Sequence, residues 1–116
     1  MPLIQVSTTE TIAEASQKPL LQKLSRAIAE GIGKPESYVM VVLHPQSPML
    51  HGGAPGPAAF VDVRSIGGLG SRVCKALSER ICALLLADLK VPGERVYLNF
   101  TDVPAGSWGH DAGTFG

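Results

Sequence analysis

No apolar run in this 116-residue chain is long enough to span a bilayer, and Met1–Glu10 has neither a basic start nor a long apolar segment. Neither a membrane span nor a secretory leader is expected, which makes the cytoplasm the default location. Charge is scarce as well: Asp, Glu, Lys and Arg make up 17% of the residues, below the usual share of about a quarter. Ten basic residues balance ten acidic ones, and no Lys/Arg cluster with interleaved aromatics occurs, so nucleic acid is not an expected partner. So little charge leaves less polar surface than a small domain standing alone needs, and surface shared between copies is expected. The only cysteines, Cys74 and Cys82, are eight residues apart in a helical stretch, about 12 Å along its axis. That is beyond disulfide reach, and buried free thiols are expected. His44, His51 and His110 are scattered without zinc-ligand spacing, so no metal is expected.

What is present reads as one domain, residues 1–116, built from a repeated unit. Leu3–Val6 is a strand that opens at the very start of the chain. From about Ser16, apolar residues Leu20, Leu21, Leu24, Ala27, Ile28 and Ile32 recur at helical spacing, with Pro19 in the first turn and Gly31 and Gly33 as the stop. Tyr38–Leu43 is a continuous apolar β run. After a loop from His44 to Pro57, Ala58–Ile66 reads as a strand. Leu69, Val73, Leu77, Ile81 and Leu84 or Leu85 form a second helical stripe, and Arg95–Phe100 a last strand. The approach to each closing strand is similar, Gly33 to Tyr38 in one half and Val91 to Arg95 in the other. The fold class is α/β (α+β): two β-α-β repeats forming a four-stranded sheet with both helices on one face. Strands apolar on both sides would leave the other sheet face to be covered by association.

Met1-Pro2 opening a strand, Gly33-Lys34-Pro35 with Tyr38, Ser65-Ile66-Gly67, Arg95 to Asn99 and Gly113-Thr114-Phe115 together resemble the macrophage migration inhibitory factor and D-dopachrome tautomerase family over the whole chain. The resemblance implies a homotrimer with sheets facing its centre, active sites at subunit boundaries and cofactor-independent keto-enol tautomerisation of small aromatic α-keto acids such as phenylpyruvate. Leaderless secretion is compatible with the same resemblance.

The resemblance also assigns roles. Pro2, freed by removal of Met1, would be a secondary amine able to act as general base. Burial and the Lys34 charge both favour its neutral form. Lys34 would hold the substrate carboxylate, and the Ile66 backbone N–H would bind substrate at a glycine turn. Tyr97 and Asn99 alternate along the last strand and would reach into a neighbouring subunit's pocket. Tyr38, Val103, Trp108 and Phe115 match pocket-wall positions. In the mammalian pattern a small aliphatic residue stands where Trp108 is, and the tryptophan where His110 is.

Three competing readings weaken on the residues. The run Ser65 to Gly70 follows a strand and precedes a helix but matches neither phosphate-binding glycine motif. The C-x-x-C of some relatives is replaced by Ala58 and Val61, which removes thiol oxidoreductase chemistry. A cytokine-like signalling protein with a vestigial pocket is the alternative, although Gln46 stands where mammalian relatives carry the aspartate of a surface Arg/Asp motif.

Overall fold

The computed structural model describes all 116 residues. Strands β1 (Pro2–Thr8), β2 (Met40–His44), β3 (Ala59–Ser65) and β4 (Val96–Asp102) form one sheet in the order β2-β1-β3-β4. Helix α1 (Glu14–Ile32) links β1 to β2, and α2 (Ser71–Leu89) links β3 to β4. Each linked pair is parallel, while β1 and β3 meet antiparallel in the middle, so the two β-α-β units are joined back to back. A short hairpin of β5 (Gly109–His110) and β6 (Gly113–Thr114) follows; no periodicity announces two-residue strands.

One core lies between the sheet and both helices. Ile4 and Val6 of β1, Val61 and Val63 of β3, Leu20, Leu24 and Ile28 of α1, and Leu77, Ile81 and Leu85 of α2 are all buried in it. Apolar area removed from water here supplies the main driving force, at about 25 cal/mol per Å². The helices approach closely at Gly31, where an added Cβ would collide with the Leu77 side chain.

Several local expectations change. Helix α1 begins at Glu14, so Pro19 is its sixth residue and deprives the exposed Ala15 carbonyl of its helical donor. Gly31 continues that helix, and only Gly33, at φ 79°, ends it in a left-handed cap. Leu69 precedes α2 rather than belonging to it. Tyr38 and Val39 are not strand residues, because Glu36–Tyr38 forms a 3-10 turn led by Pro35. The matching segment in the other half is also a 3-10 turn, Gly93–Arg95 led by Pro92, and a third, Ala105–Ser107, follows Pro104. In all three the proline φ, between −59° and −69°, sets the entry and its carbonyl closes the turn. Cys74 and Cys82 are free but only partly buried, since they flank the Leu77–Ile81–Leu85 stripe instead of lying on it.

The sheet face away from the helices is mixed, not uniformly apolar. Strict alternation in β1, β3 and β4 puts Gln5, Asp62, Arg64 and Asn99 on it beside Leu3, Phe60 and Tyr97. Strand β2 is apolar on both sides from Met40 to Leu43, before His44 ends it.

Candidate active site

Because β1 starts at Pro2, the first strand residue is placed at one end of the central pair, directly opposite Ser65, the last residue of β3. Pro2 and Ser65 are both buried. Beyond Ser65 the chain turns at Ile66, Gly67 and Gly68, and the two glycines adopt φ of 74° and 79°. A side chain at Gly68 would also meet the Ile32 methyl at 2.8 Å. Two hydrogen bonds hold this turn. The Gly67 N–H donates to the Asp102 carboxylate at 2.7 Å, and the Lys34 ammonium donates to the Ile66 carbonyl at 2.7 Å. The Ile66 N–H has no acceptor within the protein and is left available.

Pro2 opens onto a cleft of about 430 Å³ walled by Met1, Leu3, Tyr38, Met40, Arg64, Val103 and the segment from Ser107 to His110. The 3-10 turn after Pro35 carries Tyr38 to one wall, and the turn after Pro104 carries Trp108 to another. Val103 is fixed by its N–H donating to the Ser65 carbonyl at 2.9 Å. At the mouth, burial and then the Lys34 charge hold the Met1 ammonium below its ordinary pKa. An amine placed here therefore tends toward its neutral, proton-accepting form.

Of the residues singled out in the sequence, Pro2, Tyr38, Val103 and Trp108 line this cleft; Lys34 and Ile66 do not, but are bound to each other, and the Lys34 charge acts on the Met1 ammonium at the mouth. Phe115 does not line it. The C-terminal hairpin turns Phe115 outward to stack on His110, ring centroids 5.4 Å apart, and His110 provides the wall instead. Tyr97 and Asn99 stand elsewhere. Asp102 is level with Ser65 and Pro2, so Asn99 and Tyr97 lie about 10 and 17 Å back along β4, two strands from β1. Neither lines the Pro2 cleft of its own chain; Tyr97 is exposed and packs edge-on against His51. Met40, Arg64, Ser107 and His110 are cleft residues that the sequence reading missed. The pairing of Leu3 with both Met40 and Arg64 brings those two to the mouth, and the turn after Pro104 and the hairpin bring Ser107 and His110; sequence spacing carries no signal of either.

A larger but shallow depression runs along Thr9, Thr11 and Gln46 to Leu50. Gln46 donates there to the Thr11 hydroxyl at 3.2 Å, and no ionisable group lines it. The smaller Pro2 cleft has the chemistry, whatever the relative size.

Residues 1–116 match the macrophage migration inhibitory factor family from end to end. The chain belongs to that family. A macrophage migration inhibitory factor homolog of Brugia malayi is 38% identical over 96 residues, 83% of this chain and 84% of that one. The crystal structure of the Prochlorococcus marinus homologue of the factor superposes with a TM-score of 0.93 at 38% identity, covering 98% of this chain and 99% of that one. A second structure, of Pt0534 inactivated by 2-oxo-3-pentynoate, aligns at TM-score 0.83 and 26% identity over 96% of this chain and 93% of the other. Membership in the macrophage migration inhibitory factor family accounts for the back-to-back β-α-β units and for a chain that opens directly into the central strand.

Proposed function

We propose that this member of the family is a cofactor-independent keto-enol tautomerase of phenylpyruvate-type α-keto acids, with Pro2 as its general base once Met1 is removed. The observation that carries this reading is the position of Pro2, buried at the head of β1 and opening onto a cleft at whose mouth the Met1 ammonium is held below its ordinary pKa. Removing Met1 converts the Pro2 amide into a secondary amine at that point. Lys34 and the free Ile66 N–H orient the substrate carboxylate and oxygen, and Tyr38, Val103 and Trp108 receive the aromatic ring. The Pro2 nitrogen takes the proton from the enol oxygen and returns it to carbon, leaving the keto acid. The inactivation of Pt0534 by a small 2-oxo acid supports this substrate class.

The same reading includes a homotrimer. Met40, Phe60 and Tyr97 are exposed on a chain in which only 20 of 116 residues are buried, and Asn99 and Tyr97 are too far from their own cleft to serve it. Closing three copies into a ring would bring them to a neighbour's Pro2. The test is enol-to-keto conversion of phenylpyruvate by protein whose Pro2 N-terminus has been verified by mass spectrometry. Turnover above the buffer rate supports the proposal, and none at that verified terminus removes it.

A further inference from the structure

We propose that Arg64 gives the Pro2 cleft a second anion-binding group, so that the site accepts 2-oxo acids carrying a second carboxylate as well as aromatic ones. This inference rests on the tautomerase reading above and names a further substrate class for the same site. It starts from an imbalance of charge. The chain is neutral overall, yet the cleft is lined by Arg64 and His110 and by no Asp or Glu, with Lys34 acting on its mouth. An aromatic mono-acid uses one cation, and Lys34 with the Ile66 N–H already serves it.

The position of Arg64 suits a second carboxylate. In the β1–β3 register Pro2 faces Ser65 and Leu3 faces Arg64, so Ser65 turns toward the core while Arg64 stands on the open face at the cleft. Arg64 and the Lys34–Ile66 pair thus flank the Pro2 level, separated by two residues of β3 and its turn, about 7 Å of backbone. A short 2-oxo dicarboxylate carries its enolising carbon between two acid groups, so that one can meet Lys34 and the other Arg64.

Asp62 is the one acid near Arg64, and it acts as an anchor. The Arg64 Nε donates to both Asp62 oxygens at 3.3 Å and Nη2 donates at 3.0 Å. A guanidinium has five N–H donors, so those on Nη1 remain uncommitted. The Asp62 side chain is 16% exposed against 50% for Arg64, and Arg64 alone of the pair lines the cleft. A guanidinium fixed on one edge presents its remaining donors in the planar arrangement that matches a carboxylate.

The probes are the enol forms of oxaloacetate and phenylpyruvate, with wild-type protein and the variants Arg64→Gln, Arg64→Lys and Arg80→Gln. Arg80 pairs with Glu30 on the helix layer and serves as a surface control. Wild-type protein is expected to ketonise both probes. Arg64→Gln should lower kcat/KM for oxaloacetate at least about tenfold more than for phenylpyruvate, chiefly through KM. Arg64→Lys, which keeps charge without the fork, should recover part of that difference, and Arg80→Gln should leave the ratio of the two substrates as in wild type. Equal losses on both substrates in folded Arg64→Gln and Arg64→Lys would overturn the inference. So would turnover of phenylpyruvate without oxaloacetate, which leaves the tautomerase reading standing. Turnover of neither probe strikes that reading itself and this inference with it.

Discussion

The Lys34 ammonium donates to the Ile66 carbonyl at 2.7 Å and thereby fastens the end of α1 to the turn that follows β3. The hydrogen bond places a cation beside the first residue of β1 and fixes the turn that presents the free Ile66 N–H. An ammonium has three donors, so Lys34 can keep this contact and still meet a carboxylate.

Replacing Lys34 by Ala should therefore raise KM for phenylpyruvate by about tenfold, the size of one charge-assisted contact, with a smaller fall in kcat as the turn loosens. Steady-state kinetics checks this. Unchanged constants would return Lys34 to a structural tether alone.

A pH effect accompanies the same substitution. Burial first, and the Lys34 charge second, lower the pKa of the Met1 amine, and a Pro2 amine exposed next to that position would meet the same two influences. A base with a lowered pKa stays neutral to lower pH, and activity falls only as pH drops through that value. Lys34→Ala removes one of the two causes, so the acid limb of the kcat/KM profile should move to higher pH. An unmoved or downward-shifted limb would dissociate Lys34 from the base.

Stability should respond at the contact between helices. Gly31→Ala inserts a methyl into the space held by Leu77, an overpacking that costs about 1–3 kcal/mol. Chemical denaturation of the variant should show a lower midpoint, and an unchanged midpoint would mean that Leu77 moves aside freely.

Much of this fold is legible in sequence because its main elements are periodic. The stripes at Leu20, Leu24 and Ile28 and at Leu77, Ile81 and Leu85 identify both helices, and their repetition between apolar strands implies the paired units. The candidate site is legible only in part. Pro2, Lys34 and Ile66 are named through the family resemblance, and strand pairing with the Lys34–Ile66 hydrogen bond brings them to one end of the sheet. Arg64 and Met40 enter the cleft through cross-strand register, and His110 displaces Phe115 through a hairpin of two-residue strands. Neither feature has a local signature. Pro19 misleads for a related reason: helix propensity around it outweighs one missing hydrogen bond, so the helix starts at Glu14, two residues before Ser16, and Pro19 lies beyond its first turn.

Asn99 lies about 10 Å along β4 from the level of Pro2, which makes a shared site directly testable. In the proposed homotrimer, Pro2→Ala and Asn99→Ala are each expected to be inactive when assembled from one variant alone. Refolded together in equal amounts, random assortment makes roughly a quarter of the boundaries wild type in composition, and activity should recover to about that fraction. No recovery in mixed rings confirmed by native mass spectrometry would place Asn99 outside the catalytic pocket.

The central claim is that a free Pro2 nitrogen is the base, and the most direct measurement compares phenylpyruvate tautomerisation by two verified preparations of the same chain, one beginning at Pro2 and one retaining Met1. Retained Met1 leaves the nitrogen as an amide without basicity while the circular dichroism spectrum and melting profile stay those of the folded protein. Turnover is expected from the Pro2 form and only the buffer rate from the Met1 form. Comparable turnover from both would contradict that claim.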